Sequence, residues 1–293
     1  MGVFRLTMAK WYFLSIIALL LMGTQRFLYK VSAERNCPTA WTTFIFMATV
    51  TLISVIFFLI VKEPVLNRKV LWMVALWNSA SFVLGAVTHI EALKHIPSSV
   101  VYPMIRLNIA PVILFSVFYF DDRLSSCQIS GMILAAAAIL LLAHDAKEKK
   151  GTYGDIKKGL ILAFLSLLFG AMATISSKFA ALYANKLGFM ALSYFLGSFF
   201  ALGLAQWMKT EGRAKHLKDA VVVGILMGFA NFAGFYAFLA ALALGPLSLV
   251  ITVTGMHFTI AVVLSVIVYK ERMTIRRASA VVLTMVSVIF LRS

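Results

Sequence analysis

Arg106 stands in the stretch YPMIRLNIAP, near the middle of an apolar run and flanked by Pro103 and Pro111. A guanidinium keeps its proton in proteins and offers five N–H donors in a planar fork. At such depth it needs an anion or several backbone carbonyls. The two prolines loosen the helical ladder on either side and free carbonyls and amides toward a cavity. Substrate binding is the expectation for Arg106, with bracing of the bundle as the alternative. His257 sits at the centre of a later run, Asn231 in the run before it, and Asn78 and Asn108 in two earlier ones. An imidazole there can bind a solute or carry a proton, and an amide can do the first; both can also serve as interhelical hydrogen-bonding groups. Tyr102 and Trp77 lie within a turn of these polar positions and could wall a pocket. Glu91, with His89 beside it, is the carboxylate inside an apolar run and the candidate for proton coupling, or for a pair with Arg26.

The elements that must hold these residues are set by composition. The chain has 293 residues, 62% hydrophobic and 13% charged, with a mean hydropathy of +0.95. Soluble domains run nearer half apolar and a quarter charged. Ten runs are long enough to cross a bilayer: 11–30, 38–61, 70–92, 97–120, 126–143, 157–183, 188–208, 219–243, 246–269 and 274–291. A backbone in lipid must satisfy its own hydrogen bonds, and no barrel-like alternation is present, so the runs predict helices. The net charge of +16 does not indicate nucleic acid, because the basic residues sit between the runs, where membrane proteins place topogenic charge. The first run could mimic a signal peptide, but without a small-residue cleavage site it predicts a retained helix. Enzyme motifs and metal-ligand spacings are absent, and eleven acidic residues leave little for metal chemistry. Cys37 and Cys127 make no framework and are expected on opposite membrane faces.

The polar loop HDAKEKKGTYGD divides the chain into residues 1–143 and 157–293, with 144–156 as linker. The halves repeat. Shifted by 149 positions, 92–130 falls on 241–279 without a gap, so that Pro97 meets Pro246, Ser99 meets Ser248, Asn108 meets His257 and Ser116 meets Ser265. Asp122 meets Glu271 and Arg123 meets Arg272, an acidic-Arg corner after the fourth run of each half. Gly85 meets Gly234 in the same register, and Gly23 meets Gly170 at a shift of 147. Five helices per half, an odd number, force the second half to insert upside down, the pattern of secondary transporters with a midplane site.

Ten helices as five plus five, the Pro-x-Ser … Ser … acidic-Arg stretch, and Lys30 and Lys178 late in the first helix of each half resemble the drug/metabolite transporter superfamily, EamA type. The resemblance covers essentially the whole chain. It implies a transporter of amino acids and metabolites, with nucleotide sugars and phosphorylated sugars carried by distant relatives. One departure is Met22–Gly23, where the family often has Trp before its Gly. The charge count, eight Lys and Arg on the face of the termini against sixteen opposite, puts both termini outside; the resemblance implies inside. Lys30 and Lys178, near helix ends, are expected to snorkel, and Trp11, Trp41, Trp72 and Trp207 to sit in interface belts.

These readings converge on an all-α polytopic protein of ten transmembrane helices in two inverted five-helix repeats. The expected function is secondary transport by alternating access of a small anionic or zwitterionic metabolite: an amino acid, carboxylate or phosphorylated compound. The alternative is a flippase for lipid headgroups or carrier lipids. A plasma (inner) membrane location, a monomer with a small-molecule substrate and membrane lipid as partners, and no cofactor, metal, nucleic acid or enzymatic activity are expected.

Overall fold

The computed structural model describes residues 2–62, 64, 67–96, 104–105, 107–144, 155–207, 216–270 and 273–292. Arg106, Tyr102, Pro103, Ser99, Glu271, Arg272 and most of the linker lie outside these residues. The described elements are helices: α1 (Gly2–Glu34), α2 (Thr39–Val61), α3 (Arg68–His95), α4 (Ile109–Phe120), α5 (Ser126–His144), α6 (Ile156–Tyr183), α7 (Lys186–Trp207), α8 (Leu217–Leu244), α9 (Leu247–Gly255), α10 (His257–Tyr269) and α11 (Ile275–Arg292). Seven stretches are long and apolar enough to cross a membrane: six within α1, α2, α3, α6, α7 and α8, and one formed by α9 with α10. The chain is a multi-pass membrane protein.

Side-chain caps mark several helix starts. Asn67 accepts from the Val70 amide, and Asp155 accepts from the Lys157 and Lys158 amides, satisfying N–H groups that have no partner within the helix. The C-caps Asp121 and Lys270 both take left-handed conformations, at φ 52°, and they are the same position in the two halves.

Helices of one half pack chiefly on helices of the other. α1 lies on α8 and α3 on α6; α2 lies on α7 and on α8; α5 lies on α11; α4 meets α9. Exchanging the halves maps the α1–α8 pair onto α6–α3. Small residues make these approaches possible, as expected where packing rather than the hydrophobic effect joins helices. An added Cβ on Gly23 would stand 2.5 Å from Ile260 Cβ and 2.6 Å from the His257 carbonyl oxygen; one on Gly170 would stand 2.9 Å from Asn108 Nδ2. Polar groups also bridge the halves, with Ser79 Oγ of α3 donating to Ser193 O of α7 (2.8 Å), Ser166 Oγ to Gly85 O (2.9 Å) and Ser287 Oγ to Gly131 O (2.7 Å).

Two expectations about helix ends are corrected. Trp11 does not sit in an interface belt. It is 3% exposed, because Gly245 at the α8–α9 corner approaches its indole closely enough that a Cβ would stand 2.6 Å from its Cγ. Lys178 does not snorkel: it is buried, and Nζ donates to Leu242 O (2.6 Å) and Gly245 O (2.9 Å). The corner supplies carbonyls that close α8, a better partner than a distant interface.

Candidate functional site

The ninth apolar run is not one helix. It breaks at Met256 (φ −80°, ψ 6°), between α9 and α10. Thr252 and Thr254 hydroxyls bond back to Ser248 O and Val250 O, both at 2.7 Å, a habit that bends helices, and Gly255 follows. In the fourth run the chain turns at Leu107–Asn108 before α4, with i→i+3 bonds Leu107 N–H to Met104 O (3.3 Å) and Asn108 N–H to Ile105 O (3.1 Å). Leu107 is the repeat equivalent of Met256. The discontinuities face each other, for a Cβ on Gly255 would stand 2.7 Å from Ile109 Cδ1. Broken helices inside a membrane protein are tolerated where the freed backbone lines a cavity or finds protein partners.

At this level His257 opens α10. Its Nδ1 lies 2.7 Å from Thr254 O, and its Nε2 accepts from Arg26 Nε at 3.2 Å. A carbonyl oxygen can only accept, so Nδ1 carries the proton and Nε2 offers its lone pair to the guanidinium; the ring is the neutral Nδ1–H tautomer. Arg26 stands on α1. It lies over the Tyr29 ring, 5.6 Å from the centroid, and is exposed. An exposed guanidinium within a span requires water or a polar solute, not lipid.

One position earlier on α1, Gln25 is buried, and its Oε1 accepts from Asn231 Nδ2 of α8 at 2.9 Å. Asn231 Oδ1 is also buried and has no hydrogen-bond partner among the described residues. Such orphaned acceptors are rare and ask for a donor. Aromatic rings extend the wall: Tyr29 and Phe46 at 6.5 Å, Phe46 and Tyr194 at 5.9 Å, and Tyr194 and Phe235 at 5.8 Å between centroids. The Tyr194 hydroxyl lies within hydrogen-bonding reach of the Asn231 side chain.

Two of the expected residues thus meet neighbouring positions of α1, His257 at Arg26 and Asn231 at Gln25, with Tyr29 and Tyr194 nearby. Asn108 sits at the equivalent break against Gly170. Asn78 Nδ2 lies 2.8 Å from Ala173 O, 2.9 Å from Ser176 Oγ and 3.1 Å from Ser177 Oγ, which joins α3 to α6. Trp77 is exposed in line with Met73, Leu76, Ala80 and Leu84, the outer stripe of α3. Glu91 is 3.8 Å from His95, one turn on, and His89 is half-buried on the same helix. Arg106 and Tyr102 lie outside the described residues.

The acidic-Arg corner has a different task. The Asp122 carboxylate accepts from Ser116 Oγ, from Ser248 Oγ (2.7 Å) and from the Ser248 amide (3.0 Å). A carboxylate of the first half thus holds the N-terminal turn of α9 in the second, where helix geometry leaves amides unpaired and the dipole favours negative charge. Lys178 closes the end of α8 two residues before that turn and rests over the Phe120 ring (5.4 Å); Lys30 stands likewise over Tyr269 (5.2 Å), the repeat equivalent of Phe120.

A solved crystal structure of a protein is similar over 96% of this chain and 96% of its own, with a TM-score of 0.76 and 15% identity, a likeness of fold alone. No curated protein matches by sequence. The model of the EamA-like transporter family matches residues 9–143 and again residues 157–293. With nearly its whole length covered by two copies of that model, the chain belongs to the EamA-like transporter family.

Proposed function

We propose that the chain is a secondary transporter built of ten membrane-crossing helices in two inverted five-helix repeats, and that its solute is a small zwitterion of the amino-acid type. Support for the inverted arrangement comes from the exchange of halves in the packing and from the equivalent breaks at Leu107 and Met256. The observation that carries the solute reading is the Arg26–His257 pair, one position along α1 from the Gln25–Asn231 pair. Arg26 supplies a bidentate donor for a carboxylate, Asn231 Oδ1 an acceptor for an ammonium group, and the Tyr29, Phe46 and Tyr194 rings an apolar wall. Arg106, adjoining the first break in sequence, stays in this reading as a second cation, and Asn108 as the counterpart of His257.

A proton delivered to His257 Nε2 takes the lone pair that Arg26 uses and sets two cations side by side. Protonation and release of Arg26 toward a carboxylate are thereby linked. Glu91 and His89, toward the end of α3, complete the proposed path of the proton. Alternating access follows if the two halves rock about this level. The test is solute counterflow in proteoliposomes, with the melting temperature measured on the same preparation. Arg26→Gln should abolish counterflow while the protein melts near the wild-type temperature. Arg26→Lys should rescue little, because an ammonium lacks the planar fork. A fully active Arg26→Gln protein would remove the residue from the site.

A further inference from the structure

The α4–α5 corner and the α8–α9 corner line, with Trp11 of α1 and Lys178 and Leu182 of α6, a cavity of about 420 Å3 that shares no residue with the Arg26–His257 pair. Its polar lining is one-sided. Asp122 Oδ2 already accepts from three donors, which leaves Oδ1 as the carboxylate oxygen not so engaged. Arg123, exposed at the mouth, makes no hydrogen bond or ion pair among the described residues. Gln128 is 6% exposed; its Oε1 accepts from the Ser125 amide, and its amide nitrogen donates to no described group. Lys178 Nζ has two carbonyl partners and three protons. The indole N–H of Trp11, in the same wall, is buried without a partner among the described residues.

Uncommitted donors outnumber uncommitted side-chain acceptors around the cavity, which suits an oxyanion. Two of the charges around it, Arg123 and Lys178, are positive and one, Asp122, is negative, and the negative one is tied by hydrogen bonds to Ser116 and Ser248. The remaining wall is apolar, and Leu182 and Leu244 continue it onto the outer surface, where they are 39% and 48% exposed. Most of the lining belongs to the α4–α5 and α8–α9 corners, where membrane-crossing helices end and lipid headgroups begin. We infer that this cavity binds a phosphate group carried by an anionic lipid, with the phosphate at Arg123 and Gln128 and a chain along Leu182 and Leu244. This site is independent of the transport reading.

The test uses the full chain in detergent, with native mass spectrometry after equal additions of phosphatidylglycerol or phosphatidylcholine. A parallel arm follows the melting temperature with inorganic phosphate and glycerol phosphate. The wild type should retain one phosphatidylglycerol in preference to phosphatidylcholine. Arg123→Gln should weaken that retention about fivefold, the share of one basic residue at an anionic surface. Gln128→Leu should weaken it too, and neither change should alter the elution profile of the folded protein. A stabilisation by free phosphate alone that Arg123→Gln removes would keep the oxyanion site and assign it a soluble occupant. Binding of neither source, or binding that survives Arg123→Gln and Gln128→Leu unchanged, would overturn the inference.

Discussion

Removing the Asp122 carboxylate should loosen the contact between the halves at one face of the protein. Ser116 and Ser248 are fully buried, and the carboxylate receives both hydroxyls and the Ser248 amide. A hydrogen bond to a charged group contributes roughly 1.5–3 kcal/mol, and loss of a helix-start acceptor about 1 kcal/mol. The Ser248 amide keeps a second acceptor in Ser116 Oγ at 3.2 Å, so it is not left bare. Asp122 is itself only half-buried, so its charge is partly screened. Asp122→Ala should therefore cost about 2 kcal/mol, or roughly 5 °C in melting temperature. Asp122→Asn retains an acceptor oxygen and should lose about half as much. The assay is a thermal melt in detergent of Asp122→Ala, Ser248→Ala and the double variant. If the carboxylate acts through Ser248, the double variant loses clearly less than the two single losses combined. Strict additivity, or an unchanged melt for Asp122→Ala, would refute this account of the corner.

Further outcomes follow from the packing. Gly23→Ala should be severely destabilising, because its Cβ would stand 2.6 Å from the His257 carbonyl oxygen, which cannot move alone; Gly170→Ala meets the movable end of Asn108 and should be milder, and Gly203→Ala, with nothing within 4 Å, should be neutral or slightly stabilising; melting temperatures of the three rank the effects. Asn78→Leu should lower stability by about 1 kcal/mol, given roughly 0.6 kcal/mol for a typical interhelical hydrogen bond, and leave the KM for the solute unchanged. A raised KM with an unchanged melt would place Asn78 in the binding site instead. Cys127 is exposed and Cys37 buried, both as free thiols; a maleimide should label Cys127 first, and oxidation should give no intramolecular disulfide.

Much of the scaffold is legible in the residues themselves. Runs such as 157–183 and 126–143 return as α6 and α5 with ends shifted by a residue, because length and apolarity leave a membrane segment few alternatives. The register of the repeat, read from Gly, Pro and charged positions, returns in Gly23 against His257 and Gly170 against Asn108. What stayed illegible depends on partners from the other half. Asp122 stands out as a motif, yet its task needs Ser248, more than a hundred positions away. Lys178 reads as a snorkelling cation until the carbonyls of the α8–α9 corner are in place. The break at Met256 hides among apolar residues, because Thr and Gly within such a run look like ordinary helix. Tyr194 is one aromatic among many, and only the approach of Asn231 distinguishes it. Gln25 and Arg26 had a usable signal, two adjacent polar residues inside the first run.

The zwitterion reading meets its most direct test in one comparison of counterflow. Proteoliposomes preloaded with an apolar amino acid are offered the same amino acid, the acid lacking its amino group, and the amine lacking its carboxyl group. Arg26 needs the carboxylate, and Asn231 Oδ1 needs the ammonium. The amino acid should exchange fastest, the acid more slowly, and the amine at the rate of empty liposomes. Exchange of the amine as fast as the amino acid, or of no solute in protein that melts normally, would contradict the account.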